Sequence, residues 1–139
     1  MSREDAQVVR EAFEAITGMW PNPSDEARAQ ITDHWFDPDI VYEEDPSWPG
    51  AGSYQGREAV VGAFDAYAEV LTATGATVED VVDAGDRSVA LVRIKGESEG
   101  GLPFENLWGY VCTVRDGRLL SFRAYFDERE ALEAAGVSR

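Results

Sequence analysis

The sequence predicts an α+β fold: three N-terminal helices laid on one curved antiparallel sheet, with a short helix at the C-terminus. Three observations lead there. The first half of the 139-residue chain carries apolar residues at helical spacing. The second half carries alternating β-branched and aromatic runs divided by glycine turns. An Asp-Gly pair, Asp116-Gly117, stands between two of those runs, and helices first with an antiparallel meander afterwards is the α+β pattern. With no repeat or low-complexity segment, residues 1–139 read as a single domain long enough to bury a sizeable core.

Ser2 with Asp5 resembles a capping box, and Val9, Phe13, Ile16 and Trp20 follow at four-three-four spacing. Gly18 and Pro21-Asn22-Pro23 end that helix. Ser24, Asp25 and Glu26 start a second one with the stripe Ala27, Ile31 and Trp35, closing before Pro38. Ile40 to Glu44 is a short strand. The stretch 45–53, DPSWPGAGS, is rich in proline and glycine and reads as a shaped rim or lid. A third helix runs from Gly56-Arg57-Glu58 to about Leu71, with Val60, Phe64, Tyr67 and Leu71 on one side and Gly75 as its stop. Thr77–Ala84 and Ser88–Lys95 are strands joined at Gly85-Asp86, followed by a longer loop over 96–103. After the hairpin, Asp127 caps a last helix, Glu128 to Ala135, which exits at Gly136.

The hairpin sets a register. If Arg115 faces Arg118 across a two-residue turn, Val111 pairs with Phe122, Gly109 with Ala124, Trp108 with Tyr125 and Leu107 with Phe126. One face then carries Leu107, Gly109, Val111, Phe122, Ala124 and Phe126, apolar with a small-residue hollow, which suits a ligand pocket or a closely approaching helix equally. The other carries Trp108, Tyr110, Arg123 and Tyr125, an aromatic-plus-arginine patch of the kind enriched at interfaces, or plain cross-strand pairs.

Composition excludes several classes. Lys plus Arg is 12 against 27 Asp plus Glu, and the formal charge of −15 disfavours nucleic acid and anionic membrane as partners. No apolar run approaches a membrane span, and MSREDAQ lacks a secretory signal, so a cytoplasmic protein is expected. One cysteine, Cys112, and one histidine, His34, offer no metal-ligand set, so no metal or cofactor is expected.

The strand entry FDPDIVYEEDP (36–46), YQGREAVVGAF (54–64) opening the third helix, and the closing DGRLLSFRAYFDEREALEAAGV (116–137) resemble the SnoaL-like branch of the nuclear-transport-factor-like superfamily. The resemblance covers nearly the whole chain and implies a cone-shaped domain whose sheet wraps around the helices, with Phe122, Ala124 and Phe126 lining a cavity and the outer sheet face forming a homodimer. It does not select an activity, because the superfamily holds isomerases, polyketide cyclases, epoxide hydrolases, dehydratases and members that only bind or dimerise. By resemblance the isomerase base falls at Glu44, or at Asp45 with a one-residue shift. The isomerase oxyanion donors fall at Phe13 and near Gly109, neither of which has a side chain able to donate. The epoxide hydrolase set falls at Arg93, Lys95 and Ala124 and is broken. In SVALVRIKG the more apolar face is Ala90, Val92 and Ile94, which turns Arg93 and Lys95 outward.

The expected function is therefore binding of a small hydrophobic molecule with metal-free acid/base chemistry of the cyclase, isomerase or dehydratase kind. The alternative is a non-catalytic ligand-binding or dimerisation domain. Glu44 is the expected base, with Tyr42, Tyr54 or His34 as assisting donor. Trp35, Trp48, Phe64 and Tyr67 join the pocket face as aromatic walls, although Trp35 and Tyr67 at helical spacing fit an ordinary core as well.

Overall fold

The computed structural model describes residues 2–18, 24–48, 50–98 and 100–137. The chain runs α1 (Ser2–Gly18), α2 (Asp25–Trp35), β1 (Phe36–Glu43), β2 (Ser53–Gln55), α3 (Arg57–Val70), β3 (Leu71–Asp83), β4 (Ser88–Ser98), β5 (Pro103–Arg115), β6 (Arg118–Tyr125) and α4 (Glu128–Ala134). The predicted caps form: Ser24 Oγ accepts from the Ala27 N–H, and the Asp127 carboxylate accepts from the Arg129 N–H. Trp20, the break at 21–23 and the side chains of Tyr67 and Leu71 lie outside the described residues. No described helix is long and apolar enough to cross a membrane.

β4 runs to Ser98 and β5 begins at Pro103, which shortens the loop expected over 96–103, and three further boundaries move for a tertiary reason. β1 begins at Phe36 because α2 feeds directly into it, the Phe36 N–H closing the helix on the Thr32 carbonyl. Ser53, read as the end of the rim loop, forms with the two residues after it a short edge strand, Ser53–Gln55, that pairs with β1. Gly75 stops no helix; it sits at an irregularity inside β3, paired with Lys95.

The sheet order is β2-β1-β6-β5-β4-β3. Every neighbouring pair is antiparallel except β1 and β6, which run parallel, so the sheet is mixed where an antiparallel one was expected. Its inner face packs against α1 and α3 through Val9, Ala12 and Phe13 from one helix and Val60, Ala63 and Phe64 from the other. The outer face carries α4.

Asp116 (φ 52°) and Gly117 (φ 76°) take the left-handed backbone of a two-residue hairpin turn, and Arg115 pairs with Arg118 as predicted. The ladder then slips. Val114 pairs with Leu119 but Thr113 pairs with Ser121, leaving Leu120 as an extra residue. Every later pair is displaced: Val111 faces Arg123 and Gly109 faces Tyr125. Because side chains alternate, one extra residue exchanges the faces of one strand relative to the other. Tyr110 and Cys112 thus join Phe122 and Ala124 on the inner face, and Trp108, two residues before Tyr110 and paired with buried Val92, shares it. Leu107, Val111 and Tyr125 pack on the outer side with Val89, Leu91, Ala131 and Leu132. This corrects the expected assignment of Leu107, Gly109 and Val111 to the pocket, and of Trp108 and Tyr110 to an outer interface. Phe122 and Ala124 face inward as expected, and Arg123 stays outside with Tyr125, its guanidinium 5.6 Å from that ring.

Gly109 therefore serves the opposite side of the sheet from the one predicted. A Cβ there would stand 2.3 Å from the Ala131 Cβ of α4, so the missing side chain lets the helix lie on the strand. At the other end of the hairpin, Arg115 makes a fork to buried Asp37, Nη2 to Oδ1 at 2.7 Å and Nε to Oδ2 at 3.0 Å, and reaches Asp39 at 2.9 Å. Those Arg115 bonds, with a further one from the Asp39 N–H, hold the Asp37 carboxyl below its ordinary range against the opposing effect of burial.

Two predictions follow from these contacts. Gly109→Ala should lower the unfolding free energy by about 1–3 kcal/mol through overpacking, measured by urea denaturation, and Ala131→Gly added to it should recover part of the loss. A depressed Asp37 value stabilises the folded state above the unfolded carboxyl's value and ceases to do so as pH falls through the folded one. Asp37→Asn should accordingly melt below the parent at pH 7, and the gap should close in acid, below about pH 4.

Candidate functional site

Three consecutive acids end β1, and the fold sends them to three environments. Glu43 is on the outer face, exposed, with a carboxylate oxygen 3.8 Å from Arg123 Nη1. Asp45 is only 3% exposed and fully engaged. It accepts from the Ser47 N–H at 2.8 Å, the Ser47 hydroxyl at 2.7 Å and the Phe126 N–H at 2.8 Å, which ties the end of β6 to the loop after β1. Burial pushes the Asp45 carboxyl up, but the Phe126 and Ser47 bonds, helped by Arg123, outweigh it and leave the group below its usual range. Asp45 is thus a clamp whose three donors favour its charged form and occupy both of its oxygens, which leaves Glu44, of the two positions the resemblance allowed for a base, as the one with an oxygen to spare.

Glu44 is 7% exposed and differently held. Its N–H continues the β1–β2 ladder to the Gly52 carbonyl, and its Oε1 accepts from the Gly52 N–H at 3.1 Å and the Tyr54 hydroxyl at 3.0 Å. Both of those bonds fall on one oxygen. The bond to Glu44 is the main reason that the Tyr54 phenol is pushed above its ordinary value, with burial adding to it, so Tyr54 is a donor throughout the neutral range. Tyr54 sits opposite Tyr42 in the β1–β2 ladder, and their rings stack 6.1 Å apart at 21°. Glu44, two residues beyond Tyr42, lies on the same inner face.

An aromatic floor runs away from this carboxylate. Tyr42 stacks on Phe122 at 4.6 Å, and Phe64 of α3 reaches both, at 5.6 Å and 5.9 Å. Phe13 of α1 closes the other side, 5.1 Å from Tyr110 and 6.0 Å from Phe122. The β1–β6 ladder ends at Glu43 and Arg123, one residue short of Glu44; the next residue of β6 is Ala124, paired across β5 with Tyr110, so β6 offers only a methyl group on the inner face at that end. Beyond it Phe126 lies between Trp48 of the loop, at 5.6 Å, and Trp108 of β5, at 4.8 Å.

Glu44, Tyr42, Tyr54, Trp48, Phe64, Phe122, Ala124 and Phe126 therefore lie along one side of the sheet, and Trp108 and Tyr110 join them by correction. His34 and Trp35 do not extend this group. His34 is exposed, packs edge-on to Trp35 at 4.5 Å, and lines an open cleft of about 630 Å³ with Ile31 and Arg118. It precedes β1 while Glu44 follows it, and an eight-residue strand separates them by roughly 25 Å. A donor at that distance does not assist Glu44. Arg93 is on the outer face as predicted, bound to Glu79 at 2.6 Å and Glu105 at 3.3 Å, and Lys95 reaches Glu105 at 3.6 Å. The Cys112 thiol is wholly buried and pushed far up by desolvation, which makes it inert. Among the described residues no group of three or more His, Cys, Asp or Glu is placed to hold a metal ion.

Sequence reasoning missed the Asp45 clamp and the inward Trp108. The first had a signal: an aspartate with serine two residues on is a side-chain turn pattern. The second had none, since no glycine or proline marks the bulge at Leu120.

A family model for the SnoaL-like domain matches residues 9–122, from within α1 into β6. No protein of curated function matches. Among solved structures, an NTF2-like protein of unknown function from Burkholderia pseudomallei is similar with a TM-score of 0.72 at 17% identity, covering 94% of this chain and 95% of that one. A protein proposed to be a SnoaL-like polyketide cyclase from Mesorhizobium loti gives 0.67 at 19% identity, covering 87% and 97%. A protein with a ketosteroid isomerase-like fold from Catenulispora acidiphila, in complex with trimethylamine, gives 0.66 at 18% identity, covering 92% and 94%. At these identities what is shared is the α+β cone.

Proposed function

Because the chain belongs to the SnoaL-like domain family, we propose that it binds a small hydrophobic molecule and performs metal-free acid/base chemistry on it, of the cyclase, isomerase or dehydratase kind, with Glu44 as base. The observation that supports this is the way Glu44 is held. A buried carboxylate with two donors on Oε1 is oriented, and its other oxygen is the one left to take a proton. The substrate's C–H next to a carbonyl loses its proton to that oxygen, and the electron pair moves onto the carbonyl oxygen. Tyr54 keeps its own proton and its bond to Oε1, so it positions the base. Returning the proton to another carbon is isomerisation, attack of the carbanion on a second carbonyl is cyclisation, and loss of a β-hydroxyl is dehydration. Tyr42, Phe64 and Phe122 supply the apolar floor on which the rest of the substrate lies.

The other reading is a non-catalytic ligand-binding or dimerisation domain. What favours it is Phe64, whose contacts to Phe36, Tyr42 and Phe122 occupy room beneath α3 that an open pocket would need. In either case we place self-association on the outer sheet face around Arg123 and Tyr125.

The two readings part in deuterium oxide. With a panel of apolar ketones, the parent protein should accelerate exchange of the protons next to the carbonyl, followed by NMR. Glu44→Gln should reduce the exchange by about 10²–10⁴-fold, and His34→Ala should leave it unchanged. Equal exchange in parent and Glu44→Gln would sink the catalytic reading.

A further inference from the structure

We propose that the indole N–H of Trp108 is the hydrogen-bond donor for a carbonyl oxygen of the ligand, which makes that ligand a neutral ketone or similar carbonyl compound on an apolar body. This rests on the site described around Glu44 and adds the group that answers its missing donors. Phe13 has no hydroxyl and Gly109 no side chain, so neither position that the resemblance assigns to oxyanion donors supplies one.

Trp108 is 8% exposed, and its Nε1 is buried with no hydrogen-bond partner among the described residues. An indole nitrogen only donates, so it finds no compensation by accepting, and a buried donor left unmade is destabilising. Arg118 Nε and Arg123 Nε are likewise buried and unpartnered, but each belongs to a guanidinium with other donors, whereas Nε1 is the one donor the indole has. Its position is suited to donating to a ligand. Along the inner face of β5, Trp108 is one step from Tyr110; Tyr110 is paired with Ala124, and Ala124 and Glu44 each directly follow the last β6–β1 pair, Arg123 and Glu43. The small side chain between them leaves the donor and the carboxylate on either side of the same short stretch of sheet. Val92 and Phe126 make the indole's surroundings apolar.

The charge pattern selects the ligand's chemistry. Of the cations on the central strands, Arg93 and Lys95 meet Glu79 and Glu105, Arg115 meets Asp37 and Asp39, Arg123 lies near Glu43 on the outer face, and Arg118 lines the cleft with His34 at the far end of β1. A carboxylate brought to Trp108 would be desolvated next to Glu44 and the charged Asp45 with none of these cations to meet it. A ketone oxygen needs only a donor. Indole does not titrate in water, so the contact is the same across the neutral pH range.

The test compares two probes of one shape on the full chain, 2-acetylnaphthalene and 2-isopropenylnaphthalene, which differ by C=O against C=CH₂. The parent should bind the ketone about five- to tenfold tighter by calorimetry. In Trp108→Phe that preference should fall to about one, and the indole ¹H–¹⁵N signal that disappears in this variant should be the one shifted downfield by the ketone in the parent. If Trp108→Phe does not fold, benzothienylalanine at position 108 replaces N–H by sulfur in the same outline and should give the same loss. A preference that survives either change, tighter binding of 2-naphthoate than of the ketone, or no binding of either probe would overturn the proposal. Proton exchange by the parent without ketone preference removes Trp108 alone and leaves Glu44 standing. Ketone preference without exchange removes the catalytic role of Glu44 alone.

Discussion

Leu120, the one residue of β6 without a partner in the β5 ladder, decides which side chains share an interior. The hairpin turn fixes where β5 and β6 begin to pair, but the bulge resets their relative phase two residues later. Past it, Trp108, Tyr110 and Cys112 look the same way as Phe122 and Ala124, while Gly109 and Val111 look out. The two small residues that would share a hollow in an unbroken ladder are thereby placed on opposite faces. Gly109 admits α4 from outside, and Ala124 leaves room beside Glu44 within. A single residue thus separates a docking surface for the chain's own C-terminal helix from the floor of the site.

The acids at the end of β1 illustrate how environment divides labour among like residues. Glu43, Glu44 and Asp45 are adjacent and chemically similar, yet one is an exposed partner of Arg123, one is a buried carboxylate bound through one oxygen, and one is saturated by three donors. Donor count is what distinguishes them. A carboxylate that accepts three bonds is held charged and rigid, which suits it to anchoring the turn and the end of β6. One that accepts on a single oxygen keeps its orientation and still has an oxygen to offer. Asp37 at the start of the same strand belongs with the anchors, because Arg115 ties it to the hairpin from across the sheet.

The protein's formal charge of −15 is arranged around this interior. Arg93, Lys95, Arg115 and Arg123 are matched with acids, whereas the inner face between Glu44 and Trp108 carries aromatic rings and a methyl group, with a carboxylate acceptor at one end and an indole donor at the other. Such a surface discriminates by hydrogen-bond geometry and by apolar fit more than by charge.

Local signals in the chain determined its class and most of its elements. Serine and aspartate caps, helical spacing, and an Asp-Gly turn act through neighbours a few residues away, so they are written in the sequence next to where they operate. The outward turn of Arg93 and Lys95 was legible for the same reason, from alternation within one strand, whereas the inward turn of Phe122 and Ala124 came from the resemblance together with a hairpin register that the bulge then displaced. Glu44 was legible as a candidate, although its partner was one of three named, and only the pairing of β1 with β2 chose Tyr54. What tertiary structure alone decided is relative phase: which face of β5 meets which face of β6, that β1 runs parallel to β6, and that His34 and Glu44 stand at opposite ends of one strand. Phase between strands depends on a bulge that costs one unpaired residue and is repaid by packing on both sides of the sheet, and no short stretch of sequence holds that sum.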